Sequence, residues 1–262
     1  MTAPPIRFDD GAAYEQAMGV WSRYAGEVFL DWLAPSPGWR WIDVGCGSGA
    51  FTALLMQRCA PADAQGVDPS EAQLVFARQR PEARGATFQV GDAMALPFPD
   101  DRFDAAVMAL VIFFVPEPAK GLAEMVRVVR PGGMVAAYAW DMLGGGFPFQ
   151  PIQAELRALG ITPPSPPSVD VSRMDALRGV WTDAGLEAIE TREITVQRTF
   201  ADFDEFWTKS TVTGSMRPTL AAMTEDEAEQ FKQGVRARLP ADAMGRITYA
   251  SRANAVKGRV PG

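Results

Sequence analysis

The sequence contains no histidine among its 262 residues. Histidine is the commonest general base and the commonest metal ligand, so its absence argues against His-based hydrolases, most zinc enzymes and His-dependent dehydrogenases. Cysteine is scarce as well, with only Cys46 and Cys59. If one helix joins them, they lie about 20 Å apart along its axis, which is too far for a disulfide. Neither a disulfide framework nor a metal cluster is therefore expected.

Long apolar runs and an excess of basic residues are also missing. The chain has 25 basic and 32 acidic residues and no basic stripe, which argues against a nucleic-acid partner. The longest apolar run, Ala105–Val115, is far shorter than the roughly 20 residues that span a bilayer. The first residues do not show a basic region followed by an apolar one, so no export signal is expected. These features predict a soluble cytoplasmic protein.

Strand and helix patterns alternate through the first half of the chain. After a helical stretch, Ala12–Leu33, the segments "RWIDVG", "AQGVD" and "ATFQVGD" have the pattern of strands. The helical segments "AFTALLMQRC" and "SEAQLVFARQR" separate them, and Ser70 is the predicted N-cap of the second. A fourth strand is predicted over Phe103–Val115, because its continuous apolar character suits a central parallel strand. A helix from Pro116 through Val129 and the strand "MVAAYAW" follow, and this βαβ rhythm predicts a doubly wound parallel sheet.

The regular pattern ends at Asp141, where segments rich in Gly, Pro and Ser begin. The elements predicted beyond it are a short helix Ile152–Leu159, a helix Arg173–Ala184, a β-rich run Glu187–Thr199, a polar helical region Phe200–Met244 and a last strand "RITYASRANAVKG". The irregular regions are expected to cover the carboxyl edge of the sheet, where ligands bind in such folds.

The stretch "WIDVGCGSGAF" carries a glycine-rich turn directly after the first strand. Gly45, Gly47 and Ala50 fit the fingerprint G-x-G-x-x-G/A, a signal that is weak alone because simple strand–helix turns also use glycine. Asp68 ends the second strand at the right distance to bind ribose hydroxyls, although it is also placed to cap the following helix. Both NAD and S-adenosylmethionine contain a ribose, so Asp68 does not distinguish between them.

Three further features favour S-adenosylmethionine. Asp43 lies two residues before Gly45, where a carboxylate is unfavourable beside a pyrophosphate but suits a ligand with an ammonium and a sulfonium group. Asp92, in "GDAMALPF" after the third strand, is placed to accept from an adenine amino group, unless it is only a turn residue. The third feature is the segment "LAEMVRVVRPGG" after the fourth strand, which favours S-adenosylmethionine only through the family that it resembles.

With these motifs the chain resembles the class I S-adenosylmethionine-dependent methyltransferases, most closely the small-molecule branch similar to the ubiquinone/menaquinone methyltransferases. "DVGCGSG", "GVDPSE", "GDAMALPFPDDRFD" and "RVVRPGG" match that family in order and spacing over about Arg40–Trp140. The expected fold is α/β, with a Rossmann-like sheet of seven strands, mostly parallel with an antiparallel last strand, and a helical cover. The expected division is a helical cover (1–34), a cofactor-binding core (35–140), cover insertions (141–172 and 200–244) and the rest of the core sheet (173–199 and 245–262).

The resemblance also implies a set of cofactor-binding residues for S-adenosyl-L-methionine, with S-adenosyl-L-homocysteine as the product and no metal. The methionyl part is assigned to Asp43, Gly45, Cys46, Gly47 and Gly49, with Trp21 and Arg23 as further candidates near its carboxylate. Asp68 is assigned to the ribose, and Pro69, Ser70, Asp92, Ala93 and Met94 surround the adenine, while Ala109 and Leu110 pass under the cofactor.

The implied activity is methyl transfer to a small, apolar or aromatic acceptor, with Tyr14 and Tyr138 as candidate polar groups for catalysis. The sequence departs from many relatives after the fourth strand, where Phe113 and Phe114 cannot take a proton. Alternatives are a methyltransferase acting on protein or tRNA, a non-catalytic S-adenosylmethionine-binding protein, and an NAD-dependent oxidoreductase, for which no Y-x-x-x-K pattern is present. The oligomer is expected to be a monomer or a homodimer.

Two sets of residues have competing structural interpretations. Cys46 has no histidine partner and lies in a tight turn that requires small residues, so a nucleophilic role is not expected. Aromatic residues of the irregular regions either line an apolar substrate pocket or form a core that holds the cover to the sheet. They are Trp140, Phe147, Phe149, Phe200, Phe203, Phe206 and Trp207.

Overall fold

The computed structural model describes residues 15–211 and 217–262. It contains one seven-stranded sheet in the order β3-β2-β1-β4-β5-β7-β6. Every neighbouring pair is parallel except β5–β7 and β6–β7, so β7 alone runs against the others. The predicted fold class is confirmed. The strands are β1 Arg40–Val44, β2 Asp63–Asp68, β3 Thr87–Val90, β4 Phe103–Ala109, β5 Val129–Trp140, β6 Glu187–Phe200 and β7 Ile247–Arg259.

Helices surround this sheet and agree closely with the predicted segments. The α-helices among the described residues are α1 Val20–Leu33, α2 Ala50–Cys59, α3 Glu71–Gln79, α4 Pro118–Val128, α5 Gln150–Ala158, α6 Met174–Asp183, α7 Phe203–Thr211, α8 Arg217–Ala221 and α9 Glu225–Ala237. A π-helical turn, Glu15–Gly19, precedes α1. Ser70 is the N-cap of α3, since its Oγ accepts a hydrogen bond from the backbone N–H of Gln73 at 3.4 Å. No helix in the described ranges has the length and apolar character to cross a membrane.

The fourth strand is shorter than predicted. It ends at Ala109, and Leu110 then takes a left-handed backbone conformation with φ of 64°. The chain continues as a 3-10 turn, Ile112–Phe114, in which Ile112 and Phe113 are buried. The strand therefore ends within the apolar run, and the run continues because the turn that follows also packs into the core. Periodicity cannot separate these two causes of continuous burial.

The following helix begins at Pro118 instead of Pro116. The physical reason is the second proline, because a residue that precedes proline is driven out of the helical region. Glu117 accordingly has φ of −122° and ψ of 83°, so the helix cannot include it. Pro118 then occupies the first turn, where its missing N–H costs nothing.

Asp104 joins three strands at the amino end of the sheet. Its Oδ2 accepts from the backbone N–H of Arg40 at 2.8 Å, and its Oδ1 accepts from Nε of Arg130 at 2.6 Å. Burial works to raise the pKa of this carboxyl, but the hydrogen bonds from the two guanidinium groups outweigh it and hold the pKa well below its usual range. Asp104 is thus a structural residue that ties β4 to β1 and β5.

Aromatic residues of the cover lie in the hydrophobic core and not in the main cavity. Trp140, Phe149, Phe200, Phe203 and Phe206 are buried in the principal apolar cluster, against which Phe147 and Trp207 pack. In the same cluster Trp21, Ala25, Phe29 and Leu33 form the buried stripe of α1. The structure therefore supports the core interpretation of the cover aromatics.

Candidate functional site

The carboxyl ends of the parallel strands meet at one edge of the sheet, and a cavity of about 460 Å³ opens there. This is the edge at which ligands bind in doubly wound folds. The cavity collects most of the predicted site residues from segments far apart in the sequence. Those that line it are Arg23, Asp43, Gly45, Cys46, Gly47, Asp68, Pro69, Ser70, Asp92, Ala93, Ala109, Leu110 and Tyr138.

Three glycines of the turn after β1 have left-handed backbone conformations, with φ of 76°, 51° and 74° at Gly45, Gly47 and Gly49. Such angles suit glycine because it lacks a Cβ. A Cβ at Gly45 would clash with Val111, and one at Gly49 would lie 3.0 Å from Cβ of Ala77. At Gly47 the nearest atom would be 3.9 Å away, so the middle of the turn leaves backbone open to the cavity. The turn can therefore bring its backbone close to a ligand.

Asp68 holds the glycine turn against the end of β2. Its Oδ2 accepts from the backbone N–H of Gly47 at 2.9 Å, and its Oδ1 accepts from that of Ser70 at 2.9 Å. Burial raises the pKa of this carboxyl, while the two hydrogen bonds oppose the shift. Asp68 is not the helix cap, since Ser70 has that role. A carboxylate has about four acceptor positions, so two bonds leave capacity for ligand hydroxyls.

Asp43 is the buried acid of the cavity, with 1% of its surface exposed. Its Oδ2 accepts from the hydroxyl of Thr52 at 2.6 Å. Its Oδ1 has no hydrogen-bond partner within the described part of the chain. Burial, only partly offset by the Thr52 hydrogen bond, raises the pKa of Asp43 to about 7. A buried acceptor without a partner is costly, so the site is suited to a donor or a cation.

Asp92 and Ala93 line the cavity from the loop after β3. Oδ1 of Asp92 accepts from the backbone N–H of Met94 at 2.8 Å, so this residue shapes a turn as well. Both interpretations of Asp92 are thus compatible with its position. Met94 packs partly buried against the core and does not line the cavity.

The wall formed after β4 is apolar. Val111, Phe114, Val115 and Pro116 line it together with Phe51 and Leu54 of α2. Leu110 is fixed there because its backbone N–H donates to the carbonyl of Tyr138 at 2.8 Å. Such a wall offers no proton acceptor and gives water few hydrogen-bond partners on this side of the cavity.

Tyr138 is the polar side chain at the end of β5. It is 1% exposed, and its ring lies 4.6 Å from that of Phe29 and 6.0 Å from that of Phe51. These rings fix its position beneath α1. Tyr14, the other catalytic candidate, lies outside the described residues.

The start of α1 closes the cavity through Ser22 and Arg23. Arg23 is exposed and pairs with Glu27 at 3.0 Å. Trp21, predicted to bind the cofactor, is fully buried in the core and does not line the cavity. Helix periodicity explains the difference: Trp21 belongs to the core-facing stripe at four-residue spacing, so its neighbour Ser22 faces the cavity.

Cys46 lines the cavity but is 7% exposed, and burial raises the pKa of its thiol. A thiol so protonated is a poor nucleophile, in agreement with its role as a small turn residue. Gly49, like Trp21, was predicted to bind the cofactor but does not line the cavity; it packs against α3. Sequence reasoning missed several lining residues, although most lie next to a motif. They are Ser22, Ser48, Ala50, Phe51, Leu54, Gln73, Gly91, Val111, Phe114, Val115 and Pro116.

Residues 42–137 match the family described as "Methyltransferase domain". This part of the chain is thus similar to known methyltransferase domains. The resemblance inferred from the four motifs is thereby confirmed over the region that carries them, and that region supplies the glycine turn, Asp68 and the apolar wall.

Relatives with assigned names support the same conclusion. The chain is 37% identical over 121 residues to a "Ubiquinone/menaquinone biosynthesis C-methyltransferase" of Roseobacter denitrificans, across 45% of this chain and 48% of that protein. It is 41% identical over 95 residues to the chloroplastic "2-methyl-6-phytyl-1,4-hydroquinone methyltransferase 2" of Oryza sativa subsp. japonica, across 36% and 27% of the two chains. The chain thus spans about half, or less, of the length of these curated relatives.

Solved structures share the fold over most of the chain. The Haemonchus contortus phosphoethanolamine N-methyltransferase 2 in complex with S-adenosyl-L-methionine superimposes with a TM-score of 0.60 at 18% identity. The match covers 95% of this chain and 56% of that one. At this identity the similarity shows the fold alone.

Proposed function

We propose that this protein transfers a methyl group from S-adenosyl-L-methionine to a small, apolar or aromatic acceptor. The observation that carries the proposal is the unpartnered buried Oδ1 of Asp43 in the cavity of a methyltransferase domain. A carboxylate there disfavours a pyrophosphate and favours a cationic ligand. The absence of histidine and of a Y-x-x-x-K pattern gives the NAD-dependent alternative no catalytic group.

The proposed cofactor positions follow the cavity lining. Asp43 and the backbone of Gly45–Ser48 hold the methionine end, and Arg23 pairs with its carboxylate. Asp68 binds the ribose hydroxyls. The adenine lies among Pro69, Ser70, Asp92 and Ala93, above Ala109 and Leu110. When bound, the cofactor supplies a methyl group made electrophilic by the adjacent sulfonium.

The chain's own contribution is positioning and the exclusion of water. Holding two reactants in line is worth on the order of 7–11 kcal/mol in favourable cases. The apolar wall of Phe114 and Val115 keeps water away from the reacting carbon. Tyr138 is the candidate for orienting the acceptor. Because Phe113 and Phe114 cannot take a proton, an acceptor that arrives already ionised needs no base from this wall.

The acceptor class is proposed from the apolar wall and from the relatives. The names of both relatives include a quinone or a hydroquinone, which makes an aromatic acceptor the best candidate here. The acidic balance of the chain, 32 acidic against 25 basic residues, does not favour tRNA.

The decisive experiment is calorimetric titration of the purified chain with S-adenosylmethionine, S-adenosylhomocysteine and NAD. We expect micromolar binding of the two sulfur compounds and none of NAD. Transfer of a labelled methyl group to a panel of hydroquinones and phenols then tests the activity. Binding of NAD alone would contradict the proposal, and cofactor binding without transfer to any acceptor would favour a non-catalytic binding protein.

A further inference from the structure

Buried hydrogen-bond donors without partners are concentrated in one region next to the cavity. The described residues contain eight buried side-chain nitrogen or oxygen atoms that make no hydrogen bond. Five of them belong to the start of α1 and to β5, β6 and β7. They are Nε1 of Trp21, Oγ of Ser22, Nε1 of Trp140, Nη1 of Arg198 and Oγ of Ser251.

Arg198 is the most unusual of these residues. It is only 9% exposed, and within the described ranges it makes neither a hydrogen bond nor an ion pair. Its guanidinium lies 4.6 Å from the centre of the Phe200 ring. Glu205 and Tyr24 lie near enough to influence its pKa, yet burial still lowers that pKa. A buried cation that makes no hydrogen bond or ion pair with an anion is costly, so such a residue requires a reason.

Sheet register places these groups on one face. Trp140 pairs with Ala253, and Val196 pairs with Ser251. Directly opposed residues share a face, as do residues two apart on a strand, so Trp140, Ser251 and Arg198 lie on the same side of the sheet. Tyr138, two residues before Trp140, shares this side and lines the cavity.

The same face extends past the carboxyl edge of the sheet. Pairing of β5 with β7 ends at Trp140, whereas pairing of β6 with β7 continues to Phe200 and Ile247. Arg198 and Ser251 therefore lie on an arm beyond the end of β5, at the edge where the cavity opens. Trp21 packs over this arm, with its ring 6.2 Å from Tyr249 and 6.4 Å from Phe200.

The chemistry of these atoms is opposite to that at the glycine turn. Indole and guanidinium nitrogens only donate hydrogen bonds, and a serine hydroxyl can donate one. The unpartnered atom at the glycine turn is a carboxyl oxygen of Asp43. The region around α1 thus suits a group rich in acceptors, whereas the turn suits a cation.

We propose that Arg198, with Ser251, recognises an oxyanion on the methyl acceptor. The acceptor is then an apolar molecule that carries a carboxylate or a phenolate group. This inference rests on the proposed function and narrows its acceptor class. Arg198 acts as a specificity-determining residue, because a neutral analogue would leave the buried guanidinium without a partner.

The test compares matched anionic and neutral probes by calorimetry, with and without S-adenosylhomocysteine. Benzoate against benzamide tests a carboxylate, and 4-nitrophenolate against 4-nitroanisole at alkaline pH tests a phenolate. We expect at least one anion to bind ten or more times more tightly than its neutral partner. The Arg198→Met variant is expected to lose this preference. Arg192→Met, an exposed arginine of the same strand, should retain it.

The melting temperatures of Arg198 variants distinguish a role in recognition from a structural role. Removal of a buried guanidinium that makes no hydrogen bond or ion pair should leave the melting temperature of Arg198→Met at or above that of the unaltered chain. Arg198→Lys keeps the charge without the planar fork and should keep part of the preference; it serves as the second variant if the first does not fold. Equal binding of anions and neutral probes, absence of anion binding, or an unchanged preference in the variants would overturn the inference. Failure to bind S-adenosylhomocysteine would instead contradict the proposed function alone.

Discussion

At the scale of single residues, Asp43 links stability to pH. Its folded-state pKa of about 7 lies above the ordinary value of 3.8, so between these pH values the folded chain binds more protons than the unfolded chain. The free energy of unfolding should therefore fall as pH rises through this window. Asp43→Asn should remove that part of the slope and be no less stable above pH 7. Urea denaturation between pH 5 and pH 8 measures this, with Asp101→Asn in an exposed turn as the control.

The same carboxyl should couple cofactor binding to a proton. A cationic ligand beside Oδ1 favours the ionised form, so S-adenosylmethionine should bind more weakly as pH falls below about 7, the pKa of Asp43. Calorimetry in buffers of different ionisation enthalpy should show proton release near pH 7. Asp43→Asn should bind at least tenfold more weakly and release no proton. Proton release that persists in this variant would assign the coupling to another group.

Substitution of Gly45 allows the cost of backbone strain to be distinguished from the cost of a steric clash. An alanine at its φ of 76° costs about 1–2 kcal/mol from the left-handed conformation alone. Gly45→Ala should cost more, because the added Cβ would also clash with Val111. Gly38→Ala is the matched control, with φ of 81° and no atom within 4 Å of the added Cβ. Denaturation of both variants gives the difference, and equal losses would remove the clash from the explanation.

At the scale of elements, Asp104 strengthens the junctions of β4 with β1 and β5 through its hydrogen bonds to Arg40 and Arg130. Asp104→Asn should weaken charge-assisted hydrogen bonds to Arg40 and Arg130 and cost about 1–3 kcal/mol at neutral pH. The depressed pKa means that this stabilisation is present above the ordinary carboxyl pKa and is lost as pH falls toward the folded-state value. The difference between Asp104→Asn and the unaltered chain should therefore shrink in acid. Denaturation at pH 7 and pH 3 measures it, with Asp100→Asn at an exposed ion pair as the control.

At the scale of the whole molecule, residues of α1 and residues at the ends of the strands line the same cavity. Ser22 and Arg23 line it although they lie far in sequence from the glycine turn. A ligand at 100 times its dissociation constant stabilises the folded state by about 2.7 kcal/mol. Hydrogen exchange with S-adenosylhomocysteine should therefore slow at the start of α1 as well as at residues 43–51. Protection of the glycine turn without α1 would mean that the start of α1 does not contact the ligand.

Local patterns alone determined most of the sheet and the centre of the site. The alternation of apolar runs and glycine turns predicted the parallel core, because each strand and helix is encoded within a few residues. Glycines 45, 47 and 49 and the acids Asp43, Asp68 and Asp92 were recognisable because turns that approach a ligand restrict residue type.

Tertiary structure alone decided the end of β4, the position of Trp21 and the surroundings of Arg198. The run Phe103–Val115 stays apolar through strand and turn alike, so its sequence does not mark where the strand ends. Trp21 and Ser22 are neighbours on α1, and only packing determines that the serine faces the cavity. In sequence, Arg198 resembles any polar residue of an edge strand. Its burial, with Nη1 lacking a hydrogen-bond partner, follows from contacts between β6 and segments distant in sequence. Such contacts join residues that no local pattern relates, which is why the sequence predicted the glycine-turn side of the cavity better than the apolar wall and the surroundings of Arg198.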